Sequence, residues 1–225
     1  TTGEVMNRTG VTKALVDFAM SLVGRLRGGL GYVNVLTSIF FAGISGSAVA
    51  DAAALSNTLV PAMLQKGYPR SYAAAITVAG SIIGPTIPPS NLMIIYGSLM
   101  GVSIAGLFAA GILPGLLICA VCMIYIVAVG KRKNLPVSDQ GFSLKRIMVS
   151  FKSSFLALLM PAIILGGIIF GIVTPTEAAA IAVAYAFFLG VFVYRTLTFD
   201  AIVQTLIRTS IITGVVFLII ASASI

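Results

Sequence analysis

The chain has 225 residues, of which 59% are hydrophobic and 9% charged, at a mean hydropathy of +1.10; a soluble domain carries about 25% charged residues, so a soluble fold is excluded and a membrane protein is expected. The complete lack of histidine removes His-based metal sites, Ser-His-Asp and Cys-His catalysis, and imidazole proton relays from these residues. The net charge of +8 sits in short basic clusters between apolar stretches, which marks cytoplasmic loops and gives no reason to expect nucleic acid as a partner.

The chain opens Thr1-Thr2-Gly3-Glu4 without an initiator Met or leader pattern and stops at Ile225 inside an apolar run, so it reads as a piece of a longer chain. Residues 1–27 are expected to hold the end of a truncated helix and an interfacial arm, because Lys13, Asp17 and Arg25 interrupt apolar residues at helical intervals between Val11 and Leu26. Residues 28–65 lie between the basic pairs Arg25/Arg27 and Lys66/Arg70. Their centre gathers glycine and serine, Ala42-Gly43-Ile44-Ser45-Gly46-Ser47-Ala48, with Asp51 following. Small and polar residues midway between two apolar helices predict a re-entrant hairpin that enters and leaves on one side.

Between Arg70 and Lys131 lie sixty uncharged positions, room for two crossings. The first, 71–106, is expected to be a broken transmembrane helix: a half helix over Ser71–Ile83, a break at Gly84-Pro85-Thr86-Ile87-Pro88-Pro89-Ser90, and a second half from Asn91, since proline lacks an N–H and clashes with the preceding turn. The second occupies 107–130 and returns to the cluster Lys131, Arg132 and Lys133. Residues 131–153 are expected to form a cytoplasmic loop, polar from Asn134 to Gln140, and an interfacial arm over Ser143–Ser153. Two further crossings follow in 154–197, joined by Thr174-Pro175-Thr176-Glu177, a helix opening with an acid in its first turn, and ending at Arg195. The last piece, 198–225, reads as an interfacial stretch from Phe199 to Arg208 and a truncated helix.

The two interrupted elements carry the chemistry. Unwound backbone at mid-membrane offers carbonyls to Na+, and half-helix N-termini offer partial positive charge to a carboxylate. The residues concerned are Ser45, Gly46, Ser47 and Asp51 at the hairpin tip, and Gly84, Pro85, Thr86, Pro88, Pro89, Ser90 and Asn91 at the break. A purely structural account is open for the tip, with Gly46 permitting the turn, Ser47 capping a helix and Asp51 favouring its first turn. An ionisable group within a membrane nevertheless costs at least about 2.5 kcal/mol and calls for a reason. Lesser signals are discounted. Cys119 and Cys122 lie in the apolar run Gly111–Gly130 and read as packing. Gly43-Ile44-Ser45-Gly46 lacks the histidine that a serine hydrolase needs, Asn7-Arg8-Thr9 is a weak sequon, and the spaced pairs Gly97/Gly101, Gly111/Gly115 and Gly167/Gly171 read as helix contacts.

Four ordered motifs resemble the large membrane subunit of tripartite ATP-independent periplasmic (TRAP) transporters: Gly43 to Asp51, Gly84 to Ser90, Ala110-Gly111-Ile112-Leu113-Pro114-Gly115, and Thr174 to Ala178. The resemblance runs over essentially the whole chain. It implies an all-α, polytopic, elevator-type transporter half of the bacterial inner membrane, not an enzyme, needing no cofactor beyond Na+ as coupling ion. Its cargo would be a small organic acid of the dicarboxylate, sialic acid or sugar-acid class. Its partners would be a small four-helix membrane subunit and a periplasmic substrate-binding protein. The hairpin and the broken helix would belong to the moving transport domain, and 154–197 to the scaffold. Ser45, Gly46, Ser47, Gly84, Thr86 and Pro88 would contact Na+; Ser47, Asp51, Pro89, Ser90 and Asn91 would face the substrate. The family's further N-terminal helices and its second hairpin and broken helix have no counterpart in these residues, which implies one half-site at most. A divalent-anion/Na+ symporter without a binding protein, an intramembrane hydrolase built on Ser45 and a purely structural subunit are the competing readings.

Overall fold

A computed structural model describes residues 11–137, 143–194 and 198–223. The sequon Asn7–Thr9, the end of the polar loop at 138–140, Arg195 and both ends of the chain lie outside the described residues. The described chain is all helical: α1 (Val11–Val23), α2 (Gly29–Ser45), α3 (Ala48–Gln65), α4 (Arg70–Ser81), a single turn α5 (Ile83–Thr86), α6 (Asn91–Met100), α7 (Ile104–Arg132), α8 (Leu144–Ile169), α9 (Pro175–Phe188), continued by a π-helical turn over Leu189–Val193, and α10 (Phe199–Ala223). Four stretches among the described residues are long and apolar enough to cross a bilayer: Arg70–Met100 with its break, α7, α8, and Pro175–Val193. The protein is therefore a multi-pass membrane protein.

Helix α2 lies at the centre. It packs on α1, α3, α4, α5, α7 and α8, and nearly all of its residues are buried. Two apolar clusters meet on it. One joins it to α1, α8 and α9 through Leu15, Phe41, Met160 and Ala182; the other joins it to α4, α5 and α7 through Tyr72, Ile76, Ile83 and Ile126. The close approach to α8 depends on Gly43, where a Cβ would stand 2.5 Å from Cβ of Pro161.

Helix α7 shows the membrane pattern most clearly. Phe108, Gly111, Gly115, Cys119, Cys122, Ile126 and Gly130 recur at helical spacing as its buried stripe. Leu113, Leu117, Val121 and Ile124 on its other side are equally apolar and exposed. A helix apolar all round has no aqueous face. The stripe also explains the cysteines, which are free and buried in the α4–α7 cluster.

Both arms of the α2–α3 hairpin return to one end of the bundle. There Arg27 Nη1 donates to Asn134 Oδ1 at 3.0 Å, the Gly28 N–H to the Pro136 carbonyl at 3.1 Å, and the Tyr68 hydroxyl to the same carbonyl at 3.3 Å. The clusters at Arg25/Arg27, Lys66/Arg70 and Lys131–Lys133 thus share an end, the arrangement a re-entrant hairpin requires.

Several boundaries differ from the sequence reading. Pro85 does not end the helix: it lies within α5, and the extended stretch is confined to residues 87–90. A proline early in a short turn forfeits an N–H that would lack a partner anyway. The expected arms at Ser143–Ser153 and Phe199–Arg208 are not separate elements, for each runs unbroken into the following helix, as α8 and α10. Helix α1 buries Val11, Leu15 and Ala19 against protein. It is pinned to α8 by the Ser154 hydroxyl donating to the Ala14 carbonyl at 2.7 Å and by the Phe18 and Phe151 rings, 5.7 Å apart. Of the spaced glycine pairs, Gly111 and Gly115 both seat α7 against the broken helix, at Thr86 and Ile87. Gly101 and Gly171 are instead turn residues at helix ends, with φ of 64° and 68°.

Candidate functional site

The hairpin turns in two residues. Gly46 ends α2 with φ 57°, a left-handed conformation that suits glycine, and Ser47 is extended and starts α3, its hydroxyl accepting the Ala50 N–H at 3.5 Å. The Ser47 N–H in turn donates to Ser45 Oγ at 3.2 Å, and the Ser45 hydroxyl donates to Asp51 Oδ1. Asp51 stands in the first turn of α3, where the helix dipole favours its charge, and is fully buried.

The second wall comes from the break. Residues 87–90 run extended between α5 and α6, with a cis peptide between Pro88 and Pro89. Ser90 caps α6, its hydroxyl accepting the Met93 N–H at 3.4 Å. Asn91 Nδ2 reaches across to donate to the Ser45 carbonyl at 3.1 Å. At Gly46 a Cβ would stand 2.6 Å from the Pro89 carbonyl oxygen, so the tip and the break interlock through backbone.

Where the two walls meet, Asp51 Oδ2 lies directly over Gly84, whose missing side chain leaves room for it. That oxygen has no hydrogen-bond partner. A buried acceptor left unpaired costs about 1–3 kcal/mol, and more when charged. One carboxylate oxygen is therefore engaged by Ser45 while the other is buried and unmet, beside the C-terminal end of α2, which carries partial negative charge. The arrangement attracts a cation.

A cavity of about 460 Å³ opens on the hairpin side of Asp51 and runs past Ser45, Ser47 and Ala50 along α3 to Asn57, with Arg208 and Ile212 of α10 on its far wall. This volume lies within the range of small-molecule sites. A smaller cavity, about 90 Å³, lies on the other side of the tip against α8 and α9 and includes Pro89 and Asn91. The residues expected to face one substrate are thus divided: Ser47 and Asp51 line the larger cavity, Pro89 and Asn91 the smaller, and Ser90 is fully buried with its hydroxyl engaged at α6. Among the residues expected around Na+, Ser45, Ser47 and Gly84 converge on Asp51, while Gly46 packs on the break at Pro89. Thr86 turns its hydroxyl to the Ile82 carbonyl at 2.8 Å, and Pro88 is buried in the break.

Sequence reasoning missed two features. It placed Asp51 at the substrate without its contacts within the fold: besides lining the larger cavity, the carboxylate accepts from the Ser45 hydroxyl and lies over Gly84. It also read Arg208 only as a topology marker, and nothing local in the sequence brings α10 to the hairpin.

All 225 residues match the family described as Tripartite ATP-independent periplasmic transporter, DctM component. The chain is 45% identical to the 2,3-diketo-L-gulonate TRAP transporter large permease of Escherichia coli K12, covering 99% of this chain and 52% of that protein. It is 42% identical to the sialic acid TRAP transporter large permease of Vibrio cholerae, over 100% of this chain and 52% of that one. Against the C4-dicarboxylate TRAP transporter large permease of Pseudomonas aeruginosa the identity is 38%, over 98% and 52%. The chain spans about half the length of these relatives. They are transporter subunits rather than enzymes, which sets aside the hydrolase reading of Ser45. With a hairpin tip, an interlocking helix break and this likeness along its whole length, the chain belongs to the DctM family of TRAP transporter large permeases.

Proposed function

We propose that these residues form a cation half-site and one wall of an organic-anion site in a Na+-coupled TRAP permease. One observation carries the reading: Asp51 Oδ2 is fully buried, unpartnered and seated over Gly84 where the hairpin tip meets the helix break. Na+ would bind between the Asp51 carboxylate, Ser45 Oγ and the backbone around Gly84. It would stand there as co-transported substrate. The N-terminal turn of α3, capped by Ser47, faces the larger cavity and suits a carboxylate, whose charge a neighbouring Na+ offsets.

Coupling follows from shared residues. Ser45 and Ser47 belong both to the cation pocket and to the cavity wall, so an ion that fixes the tip also fixes the surface meeting the anion. The relatives' names refer to a diketo sugar acid, sialic acid and a C4-dicarboxylate, so the cargo is read as a small organic acid. Delivery by a periplasmic binding protein, assembly with a small membrane subunit, elevator movement and residence in the bacterial inner membrane belong to the same reading.

The test is uptake by the full-length permease with its partners in proteoliposomes. Ser47→Ala is expected to raise the half-saturating Na+ and substrate concentrations together, each severalfold. Unchanged values for both would overturn the coupling through the tip.

A further inference from the structure

Within the apolar helical stretch Ile202–Leu218 of α10, Arg208 is the one charged residue. Its neighbours Leu206, Ile207, Ile211 and Ile212 are exposed and apolar. A charge set among residues that suit lipid is costly, and it marks a place where the protein meets an ion or a polar ligand.

The larger cavity shows what Arg208 meets. It has Ser45, Ser47 and Asp51 at the hairpin tip, follows α3 to Asn57, and has Arg208 on its far wall. Between tip and Asn57, α3 contributes Ala50, Ala53 and Ala54, whose short side chains leave the space open. A cation that only marked the cytoplasmic side would sit with the basic clusters at the base of the hairpin. The cavity that Arg208 borders ends at Asn57, eight residues before α3 ends at Gln65, or about 12 Å short of that base at 1.5 Å per residue.

Asp51 and Arg208 are the two charged residues of the lining. The Asp51 carboxylate accepts from the Ser45 hydroxyl and, on the reading above, has Na+ to offset its charge. The guanidinium of Arg208 then stands across the cavity from the N-terminal turn of α3. It stays protonated and pairs with a carboxylate through two N–H groups of a planar fork. Arg208 already has an interaction within the chain; with five donors it can keep that one and still present a pair to a ligand.

We infer that Arg208 binds the carboxylate of the transported acid from the wall opposite the hairpin, the N-terminal turn of α3 meeting the same anion from the other side. The cargo thus spans α3 and α10. This rests on the reading of the larger cavity as the organic-anion site and adds the side chain that recognises the charge.

Uptake of radiolabelled succinate, sialic acid and 2,3-diketo-L-gulonate by the full-length permease with its partners in proteoliposomes tests it, beside equilibrium binding of radioactive Na+ without acid. For the acid that the wild type accumulates, Arg208→Gln is expected to raise the half-saturating concentration at least tenfold. Arg208→Lys, which keeps the charge but not the fork, is expected to raise it severalfold. Na+ affinity is expected to match the wild type in both. An unchanged half-saturating acid concentration in Arg208→Gln would overturn the assignment. So would a changed Na+ affinity with acid uptake unaffected, which would make Arg208 the counter-ion of Asp51, or an equal loss of acid and Na+ binding in both variants, which would make it structural. With Cys119 and Cys122 replaced by Ala, Ala50→Cys and Arg208→Cys are expected to be joined by a short bifunctional methanethiosulfonate, more slowly when the acid is present. Absence of that cross-link would put α10 elsewhere and overturn the inference. Ser47→Ala separates it from the reading beneath it: unchanged Na+ and acid values there, with the rise in Arg208→Gln, would support Arg208 and remove the hairpin tip from the site. Accumulation of none of the three acids by the wild type would overturn both.

Discussion

The carboxylate of Asp51, from α3, touches both the hydroxyl of Ser45, from α2, and the bare Cα of Gly84, from α5. Gly84→Ala puts a methyl group onto Asp51 Oδ2, and overpacking of this kind costs about 1–3 kcal/mol. The expected outcome is a rise of roughly tenfold or more in half-saturating Na+, read from uptake at fixed substrate. Asn91→Leu removes the bond to the Ser45 carbonyl, about 0.5–1.5 kcal/mol of tip stability. It should raise half-saturating Na+ severalfold with a smaller effect on the maximal rate. At this scale the sequence identified the participants better than their contacts. Ser45, Gly46 and Ser47 stood out as polar and small residues in an apolar run, and Gly84 as the start of a proline-rich break. That Gly84 exists to accommodate Asp51 depends on a contact across 33 positions, which local pattern does not encode.

At the level of the element, the hairpin and the break were legible because glycine, serine and proline interrupt apolar runs for stated physical reasons. Their limits were less so. Proline counting placed the break from Gly84, yet the helical turn continues through Pro85 and Thr86. Charge pattern located the polar faces of α8 and α10 but not the ends of their hydrogen-bond ladders, so both were divided where the helix is continuous. The opening of α9 was fully legible: Thr174 and Glu177 form a reciprocal capping box, with the Thr174 N–H donating to Glu177 Oε2 at 2.7 Å. Helix α7 meets the broken helix over glycine, and at Gly115 a side chain would run into Ile87. Gly115→Leu is therefore expected to lower the apparent melting temperature of the purified complex by several degrees, while Leu117→Ala on the exposed face of α7 leaves it nearly unchanged.

For the molecule as a whole, the hairpin brings three basic clusters to one end, so its topology is open to direct labelling. Cysteine at Arg27, Lys66 or Lys133, in a permease with Cys119 and Cys122 replaced by Ala, should react with a membrane-impermeant maleimide from the same, cytoplasmic side. Reaction of Lys66→Cys from the opposite side would make α2 and α3 a pair with its ends on two sides. The whole-molecule architecture followed from hydropathy and charge, whereas the central position of α2 did not, because burial on every face looks the same in sequence as exposure to lipid. The proposed activity belongs to the full-length protein, of which this chain corresponds to about half the length of its relatives. Its central claim is that the buried, unpartnered carboxylate of Asp51 holds Na+. Equilibrium binding of radioactive Na+ to the purified full-length permease, wild type against Asp51→Asn, measures this without transport or partners. The variant keeps the shape and loses the charge, so the account predicts at least about a tenfold weaker affinity at a site of this hairpin; equal affinity and equal stoichiometry in the two proteins would contradict it.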